Sequence, residues 1–324
     1  MSWKTRGIAA LIAGALGAAG AGYATAQTVA ISTLPPGAIN NVQAAAVAKV
    51  VQENSDLQMR LITFNSPAAI IGAVPNGQAE FAYTSNEEAG DAANGTNEYP
   101  SAMSDLRVAF TVFPFRVGVI VRADSDIHSI ADLEGKRIGT GWTGFRQGIA
   151  LWNGLLGNAG LSLDDVDPVP TTDLLRAADD FKAGKSDAFM FAVGGPKVAE
   201  ANAAIEGGVR FIDMDPSPEA VERMQGVRHE YHVAMQQPAP HLAGVSEPTN
   251  LMEYYIVMLT SANTPDDLVY KVLEAVYPNK EGLVAGHPSF NAFTPEGMSV
   301  QHERLEYHPG AIQFFKDKGI WPES

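Results

Sequence analysis

Between Arg137 and Gly148 the chain reads Arg-Ile-Gly-Thr-Gly-Trp-Thr-Gly-Phe-Arg-Gln-Gly. A short apolar strand ending at Thr140, then glycines, then a helical pattern through Ile149, Ala150, Leu151, Leu155 and Leu156 predicts a strand–corner–helix unit. Backbone N–H groups in such a corner and in the first helical turn have no partner inside the unit and carry partial positive charge. They favour a carboxylate or a phosphate. Thr140 and Thr143 add hydroxyls beside Gly141, Arg146 adds a full charge, and Trp142 and Phe145 add apolar walls. The competing reading is a plain connection whose glycines only relieve steric strain.

Gly139, Gly141 and Gly144 also spell G-x-G-x-x-G, with Asp164 and Asp165 about twenty residues on, the pattern of a dinucleotide site. Two features argue against that cofactor: an export signal into a compartment poor in free NAD, and a second copy of the corner earlier in the chain. An exported nucleotide-dependent oxidoreductase stays as the alternative.

Other catalytic patterns are missing. There is no G-x-S-x-G and no lysine after a glycine run as in a P-loop. His229-Glu230-Tyr231-His232 is not H-E-x-x-H. His128, His241, His287 and His302 read as surface or loop residues, and Asp164, Asp165, Asp179 and Asp180 as solvated helix faces and caps. With zero cysteines, disulfides, thiolate nucleophiles and cysteine-held metal sites are excluded. Backbone amides, hydroxyls and one or two arginines suit a binder without cofactor or metal better than an enzyme.

The elements that would position these groups start after residue 26. Lys4 and Arg6, the apolar run Ile8 to Gly22 and Ala24-Thr25-Ala26 read as a cleavable secretory signal, so the expected location is the periplasm. The remaining chain has 20 basic and 37 acidic residues, a net charge of −17, which argues against nucleic acid. Thr28 to Thr33 reads as a strand ending in Leu34-Pro35-Pro36-Gly37, followed by a helix from Ala38 to Glu53. Leu57 to Phe64 is a second strand, Ser66-Pro67 a helix start, and Ala79 to Thr84 a third strand. Adding 107 turns Thr33 into Thr140, Gly37 into Gly144, Ser66 into Asp173 and Gly77 into Gly184. Gly77-Gln78-Ala79-Glu80-Phe81 likewise echoes Gly184-Lys185-Ser186-Asp187-Ala188. The echo predicts two similar α/β lobes.

Ligands of open α/β sheets collect beyond the carboxyl ends of the strands. In the first lobe those ends give Thr33, Gly37, Asn40, Asn65, Ser66 and Asn86. In the second they give the Thr140 to Arg146 corner and Phe191, Gly194, Gly195 and Pro196. Leu106 to Val121 is a near-continuous strand between the lobes, interrupted by Pro114 and Gly118 as a hinge crossing would be. Arg116 in that apolar run needs an ion-pair partner or a wet cleft. With crossings there and near residue 233, lobe 1 takes residues 27–113 and 234–324 and lobe 2 takes 114–233.

The chain resembles the TAXI class of extracytoplasmic solute receptors, the periplasmic subunits of TRAP-type transporters. The likeness is carried by Thr33-Leu34-Pro35-Pro36-Gly37, Gly77-Gln78-Ala79-Glu80-Phe81-Ala82 and Ser129-Ile130-Ala131-Asp132-Leu133-Glu134-Gly135-Lys136-Arg137-Ile138. Ala183-Gly184-Lys185-Ser186-Asp187-Ala188-Phe189, Val269-Tyr270-Lys271 and His308-Pro309-Gly310-Ala311 continue it. The resemblance implies a type II-like periplasmic binding protein: two lobes, each a mixed sheet flanked by helices, joined by hinge strands. It further implies a monomer that closes on a small organic acid or amino acid and delivers it to the transporter's membrane subunits. Family sites carry over to Thr33, Gly37, Asn65, Ser66, Thr140, Gly141, Thr143 and the Gly194 to Pro196 strand end. The corner departs from the family's small Gly-Ser-Gly-Thr turn, and its Trp142 and Arg146 would suit an acid with an apolar or aromatic body. A sensor subunit that presents its ligand to a membrane kinase is a further alternative.

Overall fold

The structure, a computed structural model, describes residues 27–36, 38–142 and 147–322. The expected signal at 1–26 lies outside them. Among the described residues the chain opens with β1 (Thr28–Thr33), α1 (Ile39–Asn54), β2 (Gln58–Thr63), α2 (Pro67–Gly72), β3 (Phe81–Ser85) and α3 (Asn86–Asn94). The long β4 (Leu106–Arg122) leads to β5 (Arg137–Thr140), α4 (Gln147–Asn158), β6 (Asp167–Pro170), α5 (Leu174–Lys182), β7 (Ala188–Ala192) and α6 (Pro196–Ala204). After β8 (Val209–Phe211) come α7 (Pro218–Gln225), β9 (His232–Gln236), β10 (Thr249–Ser261), α8 (Asp266–Val276), α9 (Lys280–Gly286) and α10 (Pro309–Asp317).

All ten strands join one sheet, with the path β2-β1-β3-β10-β4-β7-β5-β6 and with β8 and β9 attached to β4 and β10. The two ends are the same unit: β1 lies parallel between β2 and β3, and β5 lies parallel between β6 and β7. The offset of 107 reaches individual hydrogen bonds. Phe64 N–H donates to Thr33 O at 2.9 Å, and Thr171 N–H to Thr140 O at 2.8 Å. Glu80 accepts from Ala30 N at 2.6 Å, and Asp187 from Arg137 N at 2.9 Å. Gly77 and Gly184 both take left-handed φ, +67° and +74°, which a side chain would strain.

Caps place the helices that leave the strand tips. Ser66 Oγ accepts from Ala69 N, with Pro67 as the first helical residue, and Asp173 accepts from Leu175 N and Arg176 N, so the paired positions are both caps. In α1 the buried Ala44, Val47, Ala48 and Val51 follow the helical period and pack on the sheet. Asp180, expected on a solvated face, is 5% exposed and held by Arg176 and Lys185 at 3.1 and 2.9 Å.

β4 runs unbroken through Pro114 and Gly118, contrary to the expected interruption. Pro114 faces Tyr255 of β10, at a level where β7 has not yet begun, so one strand edge has no described partner that needs its N–H. At Gly118 a Cβ would come within 2.6 Å of Leu251 and 2.8 Å of Phe211, so the glycine answers close packing rather than a bend. β9 and the first half of β10 lie level with the second half of β4, and Leu251 packs into the smaller core with Ile120, Phe189 and Phe211.

Candidate functional site between opposed strand tips

Register fixes where the strands point. Ser85, the last residue of β3, pairs with Ile256, which also pairs with Phe113 of β4. Ala192, the last residue of β7, pairs with Val117 of the same strand. β3 runs along β4 and β7 against it, so the two tips point from opposite directions at the same stretch of β4, four residue steps apart along it, about 13 Å at ~3.3 Å per residue, with β10 and β4 lying between them across the sheet. Pro114, Phe115 and Arg116, all half-buried, span the interval.

The predicted site residues take different places around this gap. Thr33 is fully buried, and its hydroxyl has no hydrogen-bond partner among the described residues. Thr140 is half-buried, Gly141 takes φ +80°, and Trp142 folds back so that its buried Nε1–H donates to Gly139 O at 2.9 Å. Asn40 is half-buried at the start of α1, while Asn65 and Ser66 are exposed. Asn86 Oδ1 accepts from Tyr255 N at 2.9 Å, which ties the β3 tip to the crossing strand. Phe191 packs against Phe189 with the rings tilted by 53°, and Gly194 is left-handed at φ +72°. A Cβ on Gly195 would come 2.4 Å from the Phe191 ring, and Pro196 opens α6. Gly37, Thr143, Phe145 and Arg146 lie outside the described residues.

Arg116 does have a partner: its Nε donates to Glu253 at 2.7 Å and its Nη1 to Gln236 Oε1 at 3.0 Å. Glu253 stands between Arg116 and His232 in the β4-β10-β9 register, and its other oxygen meets His232 Nε2 at 3.1 Å. Burial alone would raise the Glu253 carboxyl, but His232 and Arg116 together hold it below the ordinary value. Burial works against the His232 imidazolium, yet Glu253 and the Glu230 carbonyl raise it. His302, expected at the surface, bonds Thr111 Oγ1 at 2.8 Å, and burial pushes its imidazole down to about 4.

One contact across the gap escaped the sequence reading. Gln147, the first residue of α4, donates from Nε2 to Glu87 Oε1 at 2.5 Å and reaches Ser85 Oγ at 3.5 Å. Burial first, and the like charge of Glu88 second, push the Glu87 carboxyl up to about 8. Acids in a first helical turn read as solvated caps. What buries these is Arg228 and Tyr231, far along the chain. Glu253 did leave a signal, an acid inside the apolar run Leu-Met-Glu-Tyr-Tyr, as Arg116 is a base inside another. Among the described residues no group of three or more His, Cys, Asp or Glu could hold a metal ion.

Residues 37–319 match the model of the protein family described as NMT1-like. The chain belongs to the NMT1-like family. A TctC solute binding protein from Polaromonas, solved with no ligand, is similar at 14% identity and TM-score 0.57, over 91% of this chain and 97% of that one. XAC2383 from Xanthomonas citri bound to chloride ion is similar at 11% identity and TM-score 0.50, over 90% and 97%. This NMT1-like chain thus has the mixed α/β fold of the two-lobed periplasmic solute-binding proteins. Among its described residues no helix is long and apolar enough to cross a membrane.

Proposed function

We propose that this chain is a periplasmic receptor that captures a small organic acid or amino acid between its two halves and hands it to the membrane subunits of a TRAP-type transporter. The observation that carries this reading is that the β3 and β7 tips point from opposite directions, on either side of the β10-β4 pair, at one interval of three β4 residues. Each half brings helix N-termini and strand ends to that gap, so a ligand bound there touches both halves only when they are close. Binding then shifts the equilibrium towards the closed form. Within the NMT1-like family we assign the chain to the TAXI class on the motifs named above. We place the first crossing at Phe113 and Pro114 as the sequence suggests, and move the second from residue 233 into β10 between Glu253 and Ile256, where the register crosses the gap.

The ligand's acid group is assigned to the corner after β5, through its N–H groups, Thr143 and Arg146. A thermal-shift screen of organic acids and amino acids tests the reading, since a ligand selective for the folded state raises its melting temperature. No stabilising solute, or saturable NADH binding by fluorescence titration, overturns it. With a solute in hand, Arg146→Ala should weaken binding by about 1.5 to 3 kcal/mol, and unchanged affinity by calorimetry rejects that role.

A further inference from the structure

α3 is the element of the first half that enters the gap, and it is acidic where it is buried: Glu87, Glu88 and Asp91 are 0%, 4% and 0% exposed. The segment before β9 faces it with Arg228, Glu230 and Tyr231; the C-terminal segment adds Arg304. Glu98 and Tyr99 come from the loop after α3, Tyr254 from β10 and Gln147 from α4. Five carboxyls therefore meet two guanidiniums, and both guanidiniums are engaged elsewhere. Arg228 pairs with Asp91 and, at 3.0 Å, with Glu98; Arg304 pairs with Asp91 at 2.8 Å and Glu230 at 3.4 Å. Glu88 accepts from the Tyr99 hydroxyl at 2.8 Å.

Glu87 is the one left over. Its Oε1 has the Gln147 amide, while its fully buried Oε2 has no hydrogen-bond partner among the described residues. The hydroxyl of Tyr231, also sealed from water, is orphaned too. A carboxyl with one amide donor and no bound cation is far more stable there as the neutral acid than as the anion. The groups that close over it, Gln147 and the segment carrying Arg228 and Tyr231, belong to the opposite half. Separating the halves would return Glu87 to water.

We propose that Glu87 is a proton-linked latch: bringing the halves together seals its carboxyl in the neutral form, so closure takes up a proton and falling pH favours the closed, solute-retaining state. This rests on the two-half reading above. Burial and Glu88 raise the closed-state carboxyl from 4.5 to about 8. The closed-to-open ratio should therefore fall about tenfold per pH unit across that interval and level off on either side.

The cysteine-free chain can carry spin labels at cysteines substituted for the exposed Val42 and Leu175, one in each half. Electron–electron distances at about pH 5.5 and about pH 8.5 should show the closed population shrinking at the higher pH, and the Glu87→Gln chain, a neutral isostere, staying closed at both. Gln147→Met should move the midpoint upward, because the amide it removes favours the ionised carboxylate. A pH response retained in Glu87→Gln, no response in the parent chain, or a midpoint unmoved by Gln147→Met overturns the latch. A Gln147→Trp wedge separates the two failures. If the wedge lengthens the label distance while pH does not, the halves move and only the latch is wrong. If neither lengthens it, the halves are one rigid body and the receptor reading falls too.

Discussion

At the scale of single residues, the trio Arg116, Glu253 and His232 shows how a charge in an apolar strand is made tolerable. The Glu253 side chain is 7% exposed and bridges both bases, so Glu253→Ala leaves an arginine and a histidine facing each other. It should cost about 2 kcal/mol in urea unfolding. The pH dependence has two limbs. His232 is raised above 6.5, so its contribution is complete below that pH and is lost as pH rises through the folded value. Glu253 is lowered below 4.5, so its contribution is present above that pH and lost as pH falls through the folded value. His232→Gln should therefore flatten the alkaline limb and leave most of the acid one, measured by urea unfolding across pH. Gly310 gives a packing test: a Cβ there would lie 2.4 Å from the Asp266 carbonyl oxygen and 2.9 Å from its Cα. Gly310→Ala should destabilise by about 1 to 3 kcal/mol. Gly72→Ala, whose nearest neighbour would be 4.0 Å away, should be neutral or gain about 0.5 kcal/mol.

At the scale of elements, the two caps related by the 107-residue offset should differ in worth. Asp173 accepts two N–H bonds at 2.9 Å, whereas Ser66 accepts one at 3.3 Å. Asp173→Ala should cost about 1 to 2 kcal/mol and Ser66→Ala about 0.5 kcal/mol in chemical denaturation. Elements defined by local pattern were legible in the sequence: the strands before each corner, the proline-opened helix starts, and the paired turns at Gly77 and Gly184. The burial of Glu87 and His302 was not, because each is enclosed by residues distant in sequence; Asp180 has local partners, Arg176 and Lys185, but the pattern alone did not show that they cover it. Arg116 was legible as an anomaly and not as a pair. Its register opposite Glu253 depends on how β4 meets β10, with two irregularities between Ile256 and Leu259. At the corner the expected ligand groups Thr143, Phe145 and Arg146 lie outside the described residues, while Trp142, expected as an apolar wall, also donates a hydrogen bond to its own turn.

At the scale of the whole molecule, the mirrored halves share one sheet, and that sheet is not equally wide along its length. Beside the first half of β4 stand β10, β3, β1 and β2; beside the second half stand β7, β5, β6 and β8. Between them, at Pro114 and Phe115 and at Tyr254 and Tyr255, β4 and β10 are the only paired strands among the described residues. Small-angle scattering should record a smaller radius of gyration when a stabilising solute is added, and an unchanged radius would argue against closure about this region. A two-stranded ribbon flexes and twists out of plane far more easily than it stretches, whereas four or five strands stiffened by helices scarcely deform. In the proposed closure this narrow waist would act as a leaf spring that permits rocking and opposes sliding, which would keep both sets of tips turned to the same cleft throughout the stroke.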